Sequence, residues 1–243
     1  MSTFIKPGRG AWSTASRSLI AGDYLRIRPT STSAVGYIRA PQGAEAMIGH
    51  AYVANLDRRY PFEVIHEGLK VLQALVSAEP DGLWGEKSAE SAMAVQQRLG
   101  LTADGIVGPV TMKALLASHV RVAADNWGIS RADLGGIMNH ESSCDLAAVG
   151  SLDGTDTGPL QINRAAHDVS VANAVSPDFS LDFTGEEMHK FITKWSPKVG
   201  ATLAATGAVA NHNSPAQAKI WMETGKPPVA WIAQYVVDAR AAA

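Results

Sequence analysis

Apolar residues return at helical spacing along most of the chain beyond residue 60. Ile65, Leu69, Leu72 and Val76 predict one helix, and Ala92, Val95 and Leu99 predict a second. A third is expected around Val110 to Leu116. Further on, Leu134, Ile137, Met138 and Glu141 fall at i, i+3, i+4 and i+7, so a carboxyl continues an apolar stripe and should be partly desolvated. The start of that helix is well marked: Ser130 can cap it, Asp133 follows three residues later, and Ile129 and Leu134 occupy hydrophobic-staple positions. The first 60 residues differ. Tyr24-Leu25-Arg26-Ile27-Arg28 alternates, which predicts short strands between Pro- and Gly-containing turns, and Ala34 to Ala46 reads as linker or loop. The expected fold is mainly α, with a short β-rich or extended N-terminal segment.

An internal repeat lies within the helical part. Asp81-Gly82-Leu83-Trp84-Gly85-Glu86-Lys87-Ser88 recurs as Asp104-Gly105-Ile106-Val107-Gly108-Pro109-Val110-Thr111. In each copy the Asp-Gly pair makes a turn, a hydrophobic residue pins it, and a second glycine stands beside the start of the next helix. Pro109 suits a first helical position, where its missing N–H costs nothing. Three helices joined by two such turns make a module from about residue 61 to 118. The module resembles the peptidoglycan-binding domain family, most closely over LGLTADGIVGPVTMKALL at Leu99 to Leu116. That resemblance implies bacterial peptidoglycan as partner, with Asp81, Gly82, Trp84, Asp104 and Gly105 as the residues of the wall-binding module.

Glu141 stands at the end of its helix and is followed by a Gly-rich loop and then a short apolar run carrying Gln161. Desolvation disfavours a charged carboxylate, which is what a general acid working near neutral pH requires. The bland reading is a helix-terminal acid that turns back to water. The stretch resembles the catalytic core of the soluble lytic transglycosylase family, of lysozyme-like fold, through Glu141-Ser142, Ala148-Val149 and Gly158-Pro159-Leu160-Gln161-Ile162. Gly150 replaces a usual serine, and Pro159-Leu160 replaces Leu-Met. VANHNSP at Val209 to Pro215 is similar to a later family element, with Asn211 in the asparagine position, and WIAQYVVDA is similar to a third, with Tyr235 in the tyrosine position. Together these cover roughly residues 120 to 240. The resemblance implies that Glu141 is the catalytic acid and that Ser142, Gln161, Asn211 and Tyr235 line a sugar-binding site.

Asp153 and Asp156 in LDGTDTG admit a rival chemistry. Either could hold a water opposite Glu141, as an inverting hydrolase requires, or both could bond their own backbone in turns.

Charge is uneven despite a net −2: residues 1 to 60 carry 8 basic against 3 acidic side chains, residues 61 to 119 carry 4 against 7, and the remainder 9 against 13. Arg26, Arg28, Arg39, Arg58 and Arg59 are too dispersed for a nucleic-acid motif. With Cys144 as the single cysteine, no intrachain disulfide forms, and a small semi-buried loop residue is a better reading of it than a nucleophile. The seven histidines show no metal-ligand spacing, so neither metal nor cofactor is expected. No apolar run reaches the length of a membrane span, and the N-terminus lacks the apolar core of a secretory signal.

The segments FIKPGRGAWSTASR and LIAGDYLRIRP resemble the beginning and end of a LysM wall-binding module, without its helical middle. An arm docking on a partner, such as another virion protein, is the alternative for residues 1–60. The expected division is thus 1–60, 61–118 and 119–243. The combination resembles a bacteriophage lysin, either an endolysin waiting in the host cytoplasm or a virion-associated enzyme. Runner-up readings are a lysozyme-type hydrolase and a non-catalytic wall-binding structural protein.

Overall fold

The computed structural model describes residues 3–4, 24–27, 36–39, 62–150, 155–227 and 229–242. Among them the chain is mainly α, with ten helices and five short strands. The N-terminal strands are β1 (Thr3–Phe4), β2 (Tyr24–Ile27) and β3 (Gly36–Arg39). β2 is the centre, parallel to β1 and antiparallel to β3, with Leu25 opposite both Thr3 and Ile38. The alternation at Tyr24 to Arg28 therefore forms a strand. The linker expected at Ala34 to Ala46 and both LysM-like segments fall largely outside the described residues.

The chain divides into two compact units, one comprising Met1–Leu115 with Asp145–Ser176, the other Leu116–Cys144 with Pro177–Ala243. The stretch 119–243, expected as one domain, is thus shared between them. The first unit carries the repeat: α1 (Phe62–Leu75), α2 (Glu86–Arg98) and the beginning of α3 (Pro109–Trp127). Leu69, Leu72, Val76, Ala92, Val95 and Leu116 are buried, as their spacing predicts, whereas Leu99, expected on the second stripe, caps the end of α2 and is exposed. Pro109 does open its helix, but α3 continues to Trp127, well past Leu116. No glycine or proline interrupts residues 110–127, and Gly128, at φ 63°, ends the run. The same unit contains the hairpin β4 (Asp156–Thr157) and β5 (Ile162–Asn163), α5 (Arg164–His167), and α6 (Val171–Val175), which packs on α1.

In the second unit, α4 (Arg131–Ser142) begins as expected: the Ser130 side chain accepts the Asp133 N–H at 3.1 Å. Leu134, Ile137 and Met138 are buried. The remaining helices are α7 (Pro177–Val199), α8 (Ala201–Asn213), α9 (Pro215–Thr224) and α10 (Ala230–Ala241). α8 packs against α4, α7, α9 and α10. Its buried residues are small, Ala204, Gly207, Ala208, Val209 and Ala210, which lets its neighbours approach closely from several sides. A Cβ on Gly207 would stand 2.6 Å from Met222 Cε and 2.7 Å from Phe191 Cε1, so glycine is required at that crossing. Among the described residues no helix is long and apolar enough to cross a membrane.

Candidate functional site: a helix-end carboxyl and a repeated wall-binding turn

α4 and α10 pack together, and three side-chain contacts tie them. Arg240 Nε donates to Asp133 Oδ1 at 2.8 Å, and Asn139 Nδ2 donates to the Ala242 carbonyl at 2.6 Å. At the C-terminal end of α4, the Tyr235 hydroxyl donates to Glu141 Oε1 at 2.6 Å. Tyr235 is buried, whereas Glu141 is half-buried. Burial and then the neighbouring Glu141 charge push the phenol's pKa upward, so the hydroxyl keeps its proton and remains a donor. Glu141 Oε2 has no hydrogen-bond partner among the described residues. The His140 ring meets the Tyr235 ring edge-on, with centroids 5.0 Å apart.

The backbone turns sharply immediately beyond the acid. Ser143 and Cys144 both have positive φ, 56° and 66°, an uncommon conformation for residues with side chains. The Ser143 N–H still closes the helix on the Asn139 carbonyl at 2.8 Å. Ser142 Oγ donates to the Met138 carbonyl at 3.1 Å. Cys144 is buried rather than semi-buried, and its thiol points to Asn139 Oδ1 at 3.7 Å.

Of the other residues expected at the site, Asn211 belongs to the same unit and lies within α8, half-buried and without a side-chain hydrogen bond among the described residues. Gln161 belongs to the first unit. Its φ is 48°, and its Nε2 donates to the Gly158 carbonyl at 2.8 Å. A Cβ on Gly150 would run into Gln161 Oε1, so the absence of a side chain there leaves room for that glutamine. Asp156 stands in β4, and its Oδ1 accepts from Asn163 Nδ2 at 2.8 Å across the hairpin rather than from its own backbone as the turn reading has it. Asp153 lies outside the described residues.

Sequence reasoning overlooked Asp145. Its Oδ1 accepts the Ala147 N–H at 2.9 Å, and burial raises its pKa to about 6. The available signal was its setting, a lone acid followed by Leu146 to Val149, all buried.

The repeat has the more regular geometry. In its second copy, Gln96 Nε2 donates to Asp104 Oδ1 and to the Ile106 carbonyl, both at 2.9 Å, while Gln96 Oε1 accepts the Gly105 N–H at 2.9 Å. Asp104 Oδ1 also accepts the Ile106 N–H at 2.9 Å. The first copy repeats each bond: Gln73 to Asp81 and to the Leu83 carbonyl, and the Gly82 N–H to Gln73. Gly82 and Gly105 both have φ 73°, as the turn demands. The Ile106 N–H and then the Gln96 amide hold the Asp104 carboxyl below its ordinary pKa.

Both glutamines are almost wholly buried, and neither was singled out from the sequence. A glutamine eight residues ahead of each Asp-Gly pair was the signal. The arrangement also sorts the expected wall-binding residues. Asp81, Gly82, Asp104 and Gly105 build the turns with their polar groups, and Trp84, like its counterpart Val107, is buried in the core. Leu83 and Ile106, at equivalent positions in the two turns, are exposed apolar side chains.

Among the described residues no group of three or more His, Cys, Asp or Glu side chains is placed to hold a metal ion. No curated protein matches the chain. Residues 64–115, which contain both clamped turns, match the family described as "Putative peptidoglycan binding domain", and this match supports association with the bacterial cell wall.

Proposed function

We propose that the chain is a peptidoglycan-degrading lytic transglycosylase, in which the domain at 64–115 holds the wall and Glu141 cuts the β-1,4 bond between MurNAc and GlcNAc. The observation that carries this reading is the 2.6 Å hydrogen bond from the Tyr235 hydroxyl to Glu141 Oε1. With Oε1 occupied by a donor, the carboxyl's own proton is directed to Oε2, which is left for a substrate oxygen. A half-buried acid at a helix end, fixed by a tyrosine from a distant helix, suits proton delivery better than solvation.

In the proposed reaction, Glu141 protonates the glycosidic oxygen while the substrate's own 2-acetamido group assists departure at the anomeric carbon, so one protein carboxyl suffices. The glutamate, now ionised, takes the proton of the C6 hydroxyl of the same sugar. That oxygen then closes the 1,6-anhydro ring and regenerates the acid. Ser142, Gln161 and Asn211 enter as sugar-lining residues on the family resemblance alone. A phage lysin, acting from the host cytoplasm or from the virion, is the biological setting this activity suits.

Mass spectrometry of digested peptidoglycan tests the proposal. Anhydro ends, one water lighter than hydrolytic ends, are expected from the parent chain and not from Glu141→Gln. Ordinary reducing ends would replace the reading with a lysozyme-type hydrolase, and the absence of fragments would leave a wall-binding protein.

A further inference from the structure

Trp231 stands in the first turn of α10 and is 52% exposed, although it is among the largest apolar side chains of the protein. Its indole N–H makes no hydrogen bond among the described residues. Trp231 precedes Tyr235 by one helical turn. Four residues amount to about 6 Å of rise and about 40° around the axis, so the two rings share one edge of the helix.

Tyr235 is the residue of α10 that reaches the end of α4, where its hydroxyl meets Glu141, and α4 stops at Ser142. The turn of α10 that carries Trp231 adjoins that contact.

The neighbours of this indole do not make an apolar patch. Ala230 is small, and Gln234 is exposed and donates to Asp238 at 2.8 Å. Val237, also exposed, lies about 120° away around the axis. A single exposed aromatic plate, with the Gln234 amide on the same helix surface and one helical turn from the tyrosine of a carboxyl–phenol pair, fits a sugar ring: the C–H face lies on the indole, and hydroxyls reach the polar group beside it.

We propose that Trp231 is a stacking platform for an N-acetylated amino sugar of a β-1,4-linked glycan, forming a subsite adjacent to the Glu141–Tyr235 pair. This rests on the reading of Glu141 as the cleaving acid for the identity of the polymer, but binding and cleavage are separable. The platform sets where the glycan chain lies relative to the acid. It takes no part in proton transfer.

The test uses the full chain and soluble peptidoglycan glycan strands freed of their peptides. In the Glu141→Gln background, titration should shift the Trp231 indole N–H resonance, identified by its loss in Trp231→Phe. In the chain with Glu141 intact, Trp231→Ala should raise KM on the order of tenfold with little change in kcat, the size expected for one aromatic contact, while Trp231→Phe retains most affinity. An unmoved indole resonance, or a KM within twofold of the parent, overturns the platform even if cleavage persists. A saturable shift without any cleavage by the parent chain supports the platform and removes the catalytic reading instead. Circular dichroism of each variant confirms that the exposed substitution leaves the fold intact.

Discussion

Gln73 and Gln96 hold the same station in successive repeats, each side-chain amide bridging a carboxylate, a carbonyl and a glycine N–H of the turn that follows. The turn groups have no helix or sheet partner of their own. The buried glutamine supplies one.

Gln96→Ala should therefore unfold the wall-binding domain more readily, by about 2–3 kcal/mol, because the Gly105 N–H and the Thr111 hydroxyl lose a buried partner. Gln96→Glu should do more harm, since an oxygen would replace the amide donor facing Asp104. Urea unfolding of the two variants beside Gln73→Ala checks both the size and the equivalence of the copies. The depressed Asp104 pKa adds a pH signature: its contribution is present above the unfolded carboxyl range and is lost as pH falls through the folded value. Gln96→Ala should weaken that acid dependence.

Tyr235→Phe removes one hydroxyl and keeps the ring packed. The Glu141 carboxyl then loses the contact that orients it, and the proposed cleavage should slow about 10- to 100-fold with binding to intact walls unchanged. Glu141→Gln should cost more, at least 10²-fold by the usual worth of a general acid, because the amide cannot deliver a proton. Equal rates for parent and Tyr235→Phe on soluble glycan would dismiss the tyrosine as an orienting group.

Asp145 titrates in the opposite sense from Asp104. Its folded pKa, about 6, lies above an unfolded value of about 3.9, so the protonated form is the one the fold favours. Its stabilising contribution is complete below the unfolded value and disappears as pH rises through 6. Asp145→Asn retains an oxygen for the Ala147 N–H and carries no charge. It should raise stability at pH 7.5 on the order of 1–2 kcal/mol and change little at pH 4. Thermal melts at the two pH values make the comparison.

Arg240 pairs with a buried carboxylate, since Asp133 sits in the first turn of α4 with little exposure. Arg240→Ala should cost about 1–3 kcal/mol, moderated by the partial exposure of the guanidinium. The double variant Asp133→Ala/Arg240→Ala should be less destabilised than the sum of its parts, as a double-mutant cycle would reveal.

Local signals were legible. The Ser130 cap, the stripe through Met138 and the Pro109 helix start depend on residues within a turn or two, where spacing carries the information. The extent of α3 was not, because Ala117 to Trp127 mixes alanine with polar residues and gives no sharp face. The turns of the repeat announced themselves through Asp-Gly, but a lone glutamine within an apolar stripe does not disclose its hydrogen bonds. Trp84 resembled a binding residue in sequence and is buried in the fold. Periodicity could not foresee that Tyr235 meets Glu141 across 94 residues of chain, although the family resemblance had named both. Nor could it foresee the grouping of Asp145–Ser176 with the repeat, which rests on contacts distant in sequence.

The three ties from α10 to α4 occupy its closing turns in a definite order: Ala242 outermost, then Arg240, then Tyr235. Stop codons placed successively before Ala242, Arg240 and Tyr235 would remove the backbone anchor first, the guanidinium next and the phenol last. The proposed cleavage should thus decline in stages as α4 comes unmoored, with the domain at 64–115 still folded, so that shortened chains separate adhesion from any cutting.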